Sequence, residues 1–282
     1  MLSNKAVVIT GTSTGIGKAC ALYLDKLGFK VYAGVRKQAD GDMLKSEASE
    51  RLKSLILDVT SAESINNASD TIGKETKGNV FGLINNAGIG RGGPLEVMPV
   101  PEIQKVMSVN VVGLMAVTQA FIPMLRKGRG RIINIGSTSS ILAVPGASVY
   151  SASKFAVRAI TDSLRVELKS FGVSVILVAP GAVESEIWDK GKAYKAELSK
   201  TVKTEIAQLY APLIKFGEKL NEEMKKIPAS VVANKVADAL IVRKPKPYYI
   251  IGKDANGAAK AAKLPKGLLD WIILKRIERL AK

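Results

Sequence analysis

A tyrosine and a lysine could carry proton-transfer chemistry in this chain. Tyr150 and Lys154 stand at the two ends of the stretch Tyr-Ser-Ala-Ser-Lys, a spacing that stacks two side chains on one face of a helix. A phenol is a weak acid with a free pKa of about 10, and a neighbouring ammonium group favours the phenolate and lowers that pKa. The pair is therefore a candidate to exchange a proton with a substrate oxygen. A solvated helix face is the alternative that this spacing alone leaves open.

The composition removes several competing chemistries. The 282 residues contain no histidine, which excludes Ser-His-Asp and Cys-His nucleophilic sites and histidine-based metal sites. Cys20 is the single cysteine, so the chain can form neither an internal disulfide nor a thiolate metal cluster. It falls in an apolar helical pattern, and we expect it to be buried. Acid–base chemistry must then come from Tyr, Lys, Asp or Glu, and we expect no metal.

The chain is strongly basic, with a formal net charge of +17. Hydrophobic residues make up 47% and charged residues 24%, which is typical of a globular protein. From Arg243 to the end, eleven Lys and Arg stand against three Asp and Glu, so this segment contributes +8. Such an excess suggests nucleic acid or an anionic membrane as a partner. Because no zinc-finger, homeodomain or RNA-binding motif accompanies it, we expect no nucleic acid partner.

The hydropathy pattern predicts no membrane-spanning segment, since no apolar run reaches the ~18 residues needed. The nearest candidate, residues 111–125, is interrupted by Gly113 and Pro123. The first strand-like run begins at Lys5, which leaves no room for a signal peptide. We therefore expect a cytoplasmic protein.

Short runs rich in Val and Ile alternate with longer amphipathic segments. This alternation predicts an α/β fold, a doubly wound parallel sheet of the Rossmann type with helices on both faces. We expect one domain over residues 1–282, with its ligand crevice at the carboxyl ends of the strands. The predicted strands are 6–10, 30–33, 55–57, 80–85, 131–135, 173–178 and 248–251. The predicted helices are 17–27, 61–74, 102–125, 150–170 and 230–241.

Residues 184–228 depart from this alternation. They show no strand signal, and they mix charged residues with aromatic and aliphatic residues at helical spacing. Their position directly after the sixth strand predicts a helical substrate lid over the crevice, with Trp188 as a substrate contact. A surface helical insertion is the alternative.

A glycine-rich turn follows the first predicted strand and opens into a helix. It reads Thr-Gly-Thr-Ser-Thr-Gly-Ile-Gly from Thr10 to Gly17. Glycines permit a tight turn and a close approach of the backbone to a diphosphate, and the free N–H groups of the helix start hold the phosphates. The turn therefore predicts a dinucleotide site.

The patterns TGxxxGIG at residues 10–17 and YxxxK at residues 150–154 resemble the short-chain dehydrogenase/reductase family. Asn-Asn-Ala-Gly at 85–88 and Pro-Gly at 180–181 agree with the resemblance, which covers residues 5–251. It implies that Tyr150 is the general acid or base and that Lys154 lowers its pKa and binds the nicotinamide ribose. It also implies that Ser137 donates to the substrate oxygen and that Asn110 holds a water linked to Lys154. Ser137 and Tyr150 would both contact the substrate.

The same resemblance implies a set of cofactor-binding residues along the carboxyl edge of the sheet. Asp58 would contact the adenine ring, and Ser185 stands where the family more commonly has threonine. Besides Asn110, Tyr150 and Lys154, the predicted cofactor-binding residues are Gly11, Ser13, Thr14, Gly15, Ile16, Gly17, Arg36, Lys37, Asp58, Val59, Asn86, Ala87, Gly88, Pro180, Gly181, Val183 and Ser185.

The end of the second strand indicates which nicotinamide cofactor is bound. An acidic side chain there would bind the ribose 2′-hydroxyl, whereas a basic one suits a 2′-phosphate. The chain has Arg36 and Lys37, with no acid until Asp40. A guanidinium group matches a phosphate through its planar pair of donors, so we expect NADP(H) rather than NAD(H). A solvated turn is the alternative.

Residues 258–282 are predicted to form an amphipathic C-terminal helix. Its apolar stripe comprises Leu268, Leu269, Ile272, Ile273, Ile277 and Leu280, with Trp271 at the border. A basic amphipathic helix of this kind can lie on an anionic membrane, so peripheral membrane contact through residues 264–282 is one interpretation. Packing on the protein body or on a partner subunit is the other.

The leading hypothesis is an NADP(H)-dependent oxidoreductase that transfers a hydride between the nicotinamide and a secondary alcohol or ketone. The lid suggests a bulky apolar substrate that is steroid-, retinoid- or lipid-like. Residues 180–190 and 264–269 resemble the hydroxysteroid/retinol dehydrogenase-like branch. A 3-oxoacyl thioester reductase and a non-catalytic nucleotide- or nucleic-acid-binding scaffold are the alternatives. The resemblance also implies a homo-oligomer, dimer or tetramer, assembled through helices 102–125 and 150–170.

Overall fold

A sheet of seven parallel strands forms the centre of the computed structural model, which describes residues 4–281. The strands are β1 (Ala6–Thr10), β2 (Lys30–Val35), β3 (Leu52–Ile56), β4 (Gly82–Asn85), β5 (Arg131–Ile135), β6 (Ser174–Pro180) and β7 (Tyr248–Ile251). They pair in the order β3-β2-β1-β4-β5-β6-β7. The strand order reverses between β1 and β4, and the crevice of a doubly wound sheet opens at the carboxyl ends beside such a point.

Helices cover both faces of the sheet, as the alternation predicts. They are α1 (Gly15–Lys26), α2 (Gln38–Ser46), α3 (Ala62–Glu75), α4 (Val100–Met107), α5 (Leu114–Gly128), α6 (Ser148–Glu167), α7 (Ile187–Thr201), α8 (Thr204–Glu223), α9 (Ala229–Ile241), α10 (Lys253–Ala261) and α11 (Lys266–Ala281). Side chains alternate along a strand, so in β1 Val7 and Ile9 pack with α1 and α9, while Val8 packs with α3 and α5. Cys20 is buried in the first of these two cores, as predicted.

All seven predicted strands are present, and their bounds differ from the structure at the ends of β2, β3, β4 and β6. The ranges 6–10, 131–135 and 248–251 coincide with β1, β5 and β7. The edge strand β3 begins at Leu52 rather than at residue 55, and its exposed Lys53 gives no apolar signal. The polar helix α2 was not predicted for the same reason.

The predicted single helix over 258–282 is wrong. α10 ends at Ala261, a turn follows, and α11 begins at Lys266 directly after Pro265. Pro265 has no N–H to donate and its ring disfavours a helical turn before it, which favours a new helix that begins directly after this residue. Lys282 lies outside the described residues.

α4, a π-helical turn (Ser108–Gly113) and α5 form one continuous helical stretch. By length and composition this stretch, Val100–Gly128, could cross a membrane, which differs from our expectation that no segment could. In the fold it is a helix of the protein core, because Val117, Phe121 and Leu125 are fully buried against α3 and the sheet. Its π-helical turn lies beside the candidate site.

Candidate active site

Helix α6 presents Tyr150 and Lys154 on one face. The Lys154 Nζ lies 5.9 Å from the centre of the Tyr150 ring. It donates a hydrogen bond of 2.9 Å to the carbonyl oxygen of Ile135, at the carboxyl end of β5. Burial lowers the pKa of Lys154 to about 8. The structure thus brings the two side chains together and fixes the lysine against the sheet.

Ser137 follows β5 and faces the Tyr150 phenol. Burial raises the pKa of Tyr150, and a hydrogen bond with the Ser137 side chain offsets only part of that increase. In the protein without cofactor, Lys154 therefore does not lower the pKa of Tyr150 as we expected. The physical reason is that the Lys154 ammonium group is bonded to the Ile135 carbonyl oxygen and lies 5.9 Å from the centre of the Tyr150 ring.

The Ser137 hydroxyl is oriented by its own turn. Ser137 Oγ accepts a hydrogen bond of 3.1 Å from the Ser139 N–H, and the Ser137 N–H donates to the buried Ser140 Oγ at 3.1 Å. Because a backbone N–H already occupies the oxygen as acceptor, the hydroxyl proton is available to donate toward Tyr150 or a substrate. Sequence reasoning missed Ser140, since a serine three residues into a turn has no distinctive pattern.

Asn110 lies in the π-helical turn, a local structure that is frequent at functional sites. Its Oδ1 accepts from the Ile89 N–H at 2.8 Å, and its Nδ2 donates to the Ile89 carbonyl at 2.9 Å and to Ser153 Oγ at 3.0 Å. The buried amide thus joins the segment after β4 to α6. A Cβ placed on Gly88 would lie 3.4 Å from Asn110 Oδ1 and 3.7 Å from Lys154 Nζ, so both polar groups lie beside Gly88.

The glycine-rich turn needs its glycines for conformation and for packing. Gly11 and Gly15 have φ of +69° and +58°, a region that side chains disfavour. A Cβ on Gly17 would lie 2.1 Å from the Gly11 carbonyl oxygen, so α1 contacts the turn closely. Thr14 precedes α1 without a side-chain hydrogen bond to the first helical N–H groups. Those donors are the ones that can hold an anion. Of the neighbouring predicted residues, Ser13 is half-buried in the turn and Ile16 packs on the core.

Asn86 and Ala87 fasten this turn to the end of β4. Asn86 Nδ2 donates to the Thr10 and Gly11 carbonyl oxygens at 3.0 and 2.8 Å. The N–H groups of Asn86 and Ala87 each donate to Thr10 Oγ1 at 3.0 Å. The Asn86 side chain therefore acts on the backbone of the turn. Thr10 opens the glycine-rich pattern but was not among the predicted site residues, because a threonine ending a strand matches ordinary strand composition.

Arg36 and Lys37 follow β2 and are exposed, and Asp58 follows the neighbouring strand β3. Burial raises the pKa of Asp58, but two hydrogen bonds from Thr60 and the nearby Arg36 guanidinium outweigh this, so the pKa lies below its ordinary value. Arg36 and Asp58 are thus close together at the carboxyl edge of the sheet. Val59 is buried against Gly113 of the π-helical turn, where a Cβ would lie 2.7 Å from the Val59 carbonyl oxygen.

The segment after β6 is fixed by a residue of α10. A Cβ on Gly181 would lie 2.0 Å from Asp254 Oδ1, and the Ala182 N–H donates to Asp254 Oδ2 at 2.7 Å. Only glycine fits between Pro180 and this carboxylate. Asp254 was missed because it is distant in sequence from every recognised motif.

The segment 184–228 begins against the glycine-rich turn. A Cβ on Gly15 would lie 3.0 Å from the Ser185 Cβ. Trp188 Nε1 donates to the Val183 carbonyl at 2.8 Å, and Lys226 Nζ lies 5.3 Å from the centre of its ring. These contacts are within the segment 183–226, so a substrate contact by Trp188 stays a prediction.

Helices α7 and α8 pack on the segment that follows β4. The Arg91 guanidinium lies 4.7 Å from the centre of the Tyr194 ring and forms an ion pair of 2.9 Å with Glu102. Tyr210 of α8 donates to Glu96 at 2.8 Å. Residues from α7 and α8 therefore contact the chain between Gly88 and Asn110, beside the candidate site.

Comparison with known proteins agrees with this arrangement. A family model described as short chain dehydrogenase matches residues 5–195. The NADPH-dependent 3-dehydrocapnine reductase of Ornithobacterium rhinotracheale is 34% identical over 289 residues, covering 98% of this chain and 98% of that protein. Dehydrogenase/reductase SDR family member 9 of Bos taurus is 36% identical over 292 residues, covering 99% and 90%. Retinol dehydrogenase 16 of Rattus norvegicus is 36% identical over 266 residues, covering 90% and 83%.

A solved structure extends the likeness to the fold. The short chain dehydrogenase from Burkholderia cenocepacia in complex with NADP has a TM-score of 0.74 and 26% sequence identity, covering 97% of this chain and 99% of that chain. Fold, site and relatives together define an oxidoreductase. The chain belongs to the short-chain dehydrogenase/reductase family, and its relatives include retinol and 17-beta-hydroxysteroid dehydrogenases.

Proposed function

We propose that this protein is an NADP(H)-dependent oxidoreductase that interconverts a secondary alcohol and a ketone. The observation that carries the proposal is the position of the Ser137 side chain against the Tyr150 phenol, beside the buried Lys154. A hydroxyl donor and a phenol that converge on one point suit the oxygen of a carbonyl or an alcohol.

Ser137, Tyr150, Lys154 and Asn110 are the proposed catalytic residues. The role of each follows from its chemistry. Tyr150 donates a proton to the carbonyl oxygen in reduction and accepts one from the alcohol in oxidation. Ser137 donates a hydrogen bond to the same oxygen and stabilises the negative charge that develops on it. Lys154 favours the phenolate form of Tyr150 in the loaded enzyme and binds the nicotinamide ribose. Asn110 fixes the backbone at Ile89 and holds the water through which the proton is replaced.

The residues of the carboxyl edge fit a phosphorylated dinucleotide. The uncapped start of α1 and the left-handed Gly11 and Gly15 suit a diphosphate, and the exposed Arg36 beyond β2 suits a ribose phosphate. The relative from Ornithobacterium rhinotracheale is named for NADPH, which supports the same choice. When bound, the nicotinamide supplies or accepts the hydride. We propose that the other predicted cofactor residues, including Ser185, line the same dinucleotide site.

We propose that residues 184–228 form a substrate lid and that the substrate is a bulky apolar ketone or alcohol. α7 and α8 bring Tyr194 and Tyr210 onto the segment after β4. The steroid and retinol names among the relatives support a substrate of this size and polarity. A 3-oxoacyl thioester is the second substrate class to test.

We also propose a homo-oligomer built on α5 and α6. Apolar side chains remain exposed on the π-helical turn and these helices: Val112, Met115, Phe155 and Val166. Light scattering after gel filtration should give a dimer or tetramer, and Met115→Glu should shift it toward monomer. A monomeric wild-type chain would contradict this part. The cytoplasmic location and the absence of a nucleic acid partner stay predictions.

A substrate panel tests the proposed function. Reduction is assayed with NADPH on steroid, retinoid and long-chain ketones and on 3-oxoacyl thioesters. Oxidation is assayed with NADP⁺ on the matching alcohols. We expect turnover of at least one bulky apolar ketone and at most slow turnover of thioesters. Binding of NADPH without turnover of any substrate would favour a non-catalytic nucleotide-binding role.

A further inference from the structure

Helix α11 buries one face and leaves a second apolar face exposed. Leu269 is buried, and Ile273, Ile277 and Leu280 are half-buried on the same side. This face packs on α8, and Arg276 forms an ion pair with Glu223 and lies 5.8 Å from the centre of the Phe216 ring. The helix is therefore attached to the second lid helix.

The exposed face combines apolar and cationic side chains. Trp271 is 58% exposed, Leu268 45% and Ile272 42%. At 100° per residue these three positions share one side of the helix with Lys275 and Arg279, which are also exposed. We call this set, Leu268, Trp271, Ile272, Lys275 and Arg279, the α11 outer face.

The charge around the α11 outer face suits an anionic surface. Lys263 and Lys266 are exposed just before it. Asp270 and Glu278 are the acids of the helix, and Glu278 accepts a hydrogen bond from Lys275 at 2.9 Å. From Arg243 onward the chain carries a net charge of +8. Cations beside an exposed Trp and aliphatic side chains are the composition of helices that lie in the interface of anionic bilayers.

We propose that the α11 outer face docks the protein on an anionic lipid bilayer. The helix would lie in the plane of the interface, with Trp271, Leu268 and Ile272 among the acyl chains and Lys275 and Arg279 at the headgroups. We further propose that the bilayer delivers the substrate, and this second part rests on the proposed function. Because α11 packs on α8 and α8 contacts the rim of the site through Tyr210 and Glu96, a docked protein holds its lid at the bilayer surface. An apolar ketone dissolved in the bilayer then reaches the site without crossing water.

The docking is tested on the full chain with vesicles of neutral phospholipid alone or with one third anionic phospholipid. The test variant is Trp271→Ser/Arg279→Glu, and the control is Met43→Ser/Lys45→Glu on α2. Both pairs remove one exposed apolar side chain and reverse one exposed charge, since Met43 is 65% exposed and Lys45 is exposed. We expect wild type and control to sediment with anionic vesicles and the test variant to bind at least about tenfold more weakly, because apolar insertion and charge attraction both contribute.

Trp271 fluorescence shows whether the helix itself enters the lipid. In a Trp188→Phe background, Trp271 is the one remaining tryptophan of the sequence. We expect its emission to shift to the blue on addition of anionic vesicles and to be quenched by brominated acyl chains. Wild type that stays in the supernatant, equal binding by test and control variants, or an unchanged Trp271 emission would overturn the proposal. If the test variant changes oligomeric state while wild type ignores vesicles, the face is a contact with a second copy instead.

A kinetic comparison separates docking from catalysis. We expect the test variant to lose rate on a ketone presented in anionic vesicles while keeping its rate on a water-soluble ketone. Loss on both would contradict delivery from the bilayer, and inactivity of wild type on both would contradict the proposed function while leaving the sedimentation result intact.

Discussion

The Lys154 ammonium group donates its hydrogen bond to the Ile135 carbonyl oxygen, two positions before Ser137 along the chain. The end of β5 thus holds the lysine of α6 from one side and leads into the serine that faces Tyr150. A single strand end therefore positions two of the proposed catalytic groups, Lys154 and Ser137. Substitutions of these residues should therefore change both the free energy of unfolding and the rate of proton transfer.

The first prediction concerns the contribution of Lys154 to the pH dependence of the free energy of unfolding. Its pKa is about 8 in the folded protein, against 10.5 in the unfolded chain. Between these values the unfolded chain binds more protons, so the free energy of unfolding rises with pH through that window. Relative to Lys154→Met, cofactor-free wild type should gain up to about 3 kcal/mol between pH 8 and 10.5. Denaturant unfolding at several pH values measures this difference, with Lys45→Met as the surface control. A pH-independent difference would contradict the burial of the charge.

The second prediction concerns Ser140 as a positioning residue. Ser140→Ala removes the acceptor of the Ser137 N–H and loosens the turn that aims the Ser137 hydroxyl. We expect kcat to fall about fivefold with KM little changed, since one neutral hydrogen bond contributes about 1 kcal/mol. Ser137→Ala should cost about 10²-fold or more. If Ser140→Ala lowers kcat as much as Ser137→Ala does, without a change in KM, then Ser140 is not merely a positioning residue for Ser137. Rescue by Ser140→Thr would support the positioning role.

The third prediction concerns cofactor choice. Arg36→Asp replaces the cation at the end of β2, so it should weaken NADPH binding at least about tenfold, a loss of about 1.4 kcal/mol, and leave NADH binding equal or stronger. Isothermal titration with both nucleotides measures the ratio. Lys45→Asp on α2 is the matched charge change away from this edge. An unchanged preference for NADPH would exclude Arg36 as the phosphate ligand.

The fourth prediction concerns Thr10, which is 1% exposed. Thr10→Val removes the oxygen that accepts the N–H groups of Asn86 and Ala87. A buried unpaired N–H costs about 1–3 kcal/mol, so the free energy of unfolding should fall by about 2 kcal/mol or more. Thr10→Ser keeps the acceptor and should lose about 1 kcal/mol for the missing methyl. Equal losses in the two variants would show that the hydrogen bonds do not matter.

The sequence predicted the sheet, most of the helices and the residues that assemble at its carboxyl edge. Apolar strands and the glycine-rich turn have local signals, because a buried parallel strand and a left-handed turn each demand particular residue types. Pro265 also had a local signal, and neglecting it merged α10 and α11 into one helix.

The supporting contacts could not be predicted in this way. Asp254 meets Gly181, and Ile135 accepts from Lys154, only because the fold brings distant segments together. The raised pKa of Tyr150 also depends on burial that spacing does not reveal. Tertiary contacts of this kind leave no period or motif in the chain.

Replacement of the Tyr150 hydroxyl is the sharpest test of whether Tyr150 transfers the proton to or from the substrate oxygen. The turnover of a confirmed ketone with NADPH is compared between wild type and Tyr150→Phe, which keeps the ring and removes only the hydroxyl. We expect a loss of about 10²–10⁴-fold in kcat with NADPH binding retained. Full turnover by Tyr150→Phe on that substrate would contradict it.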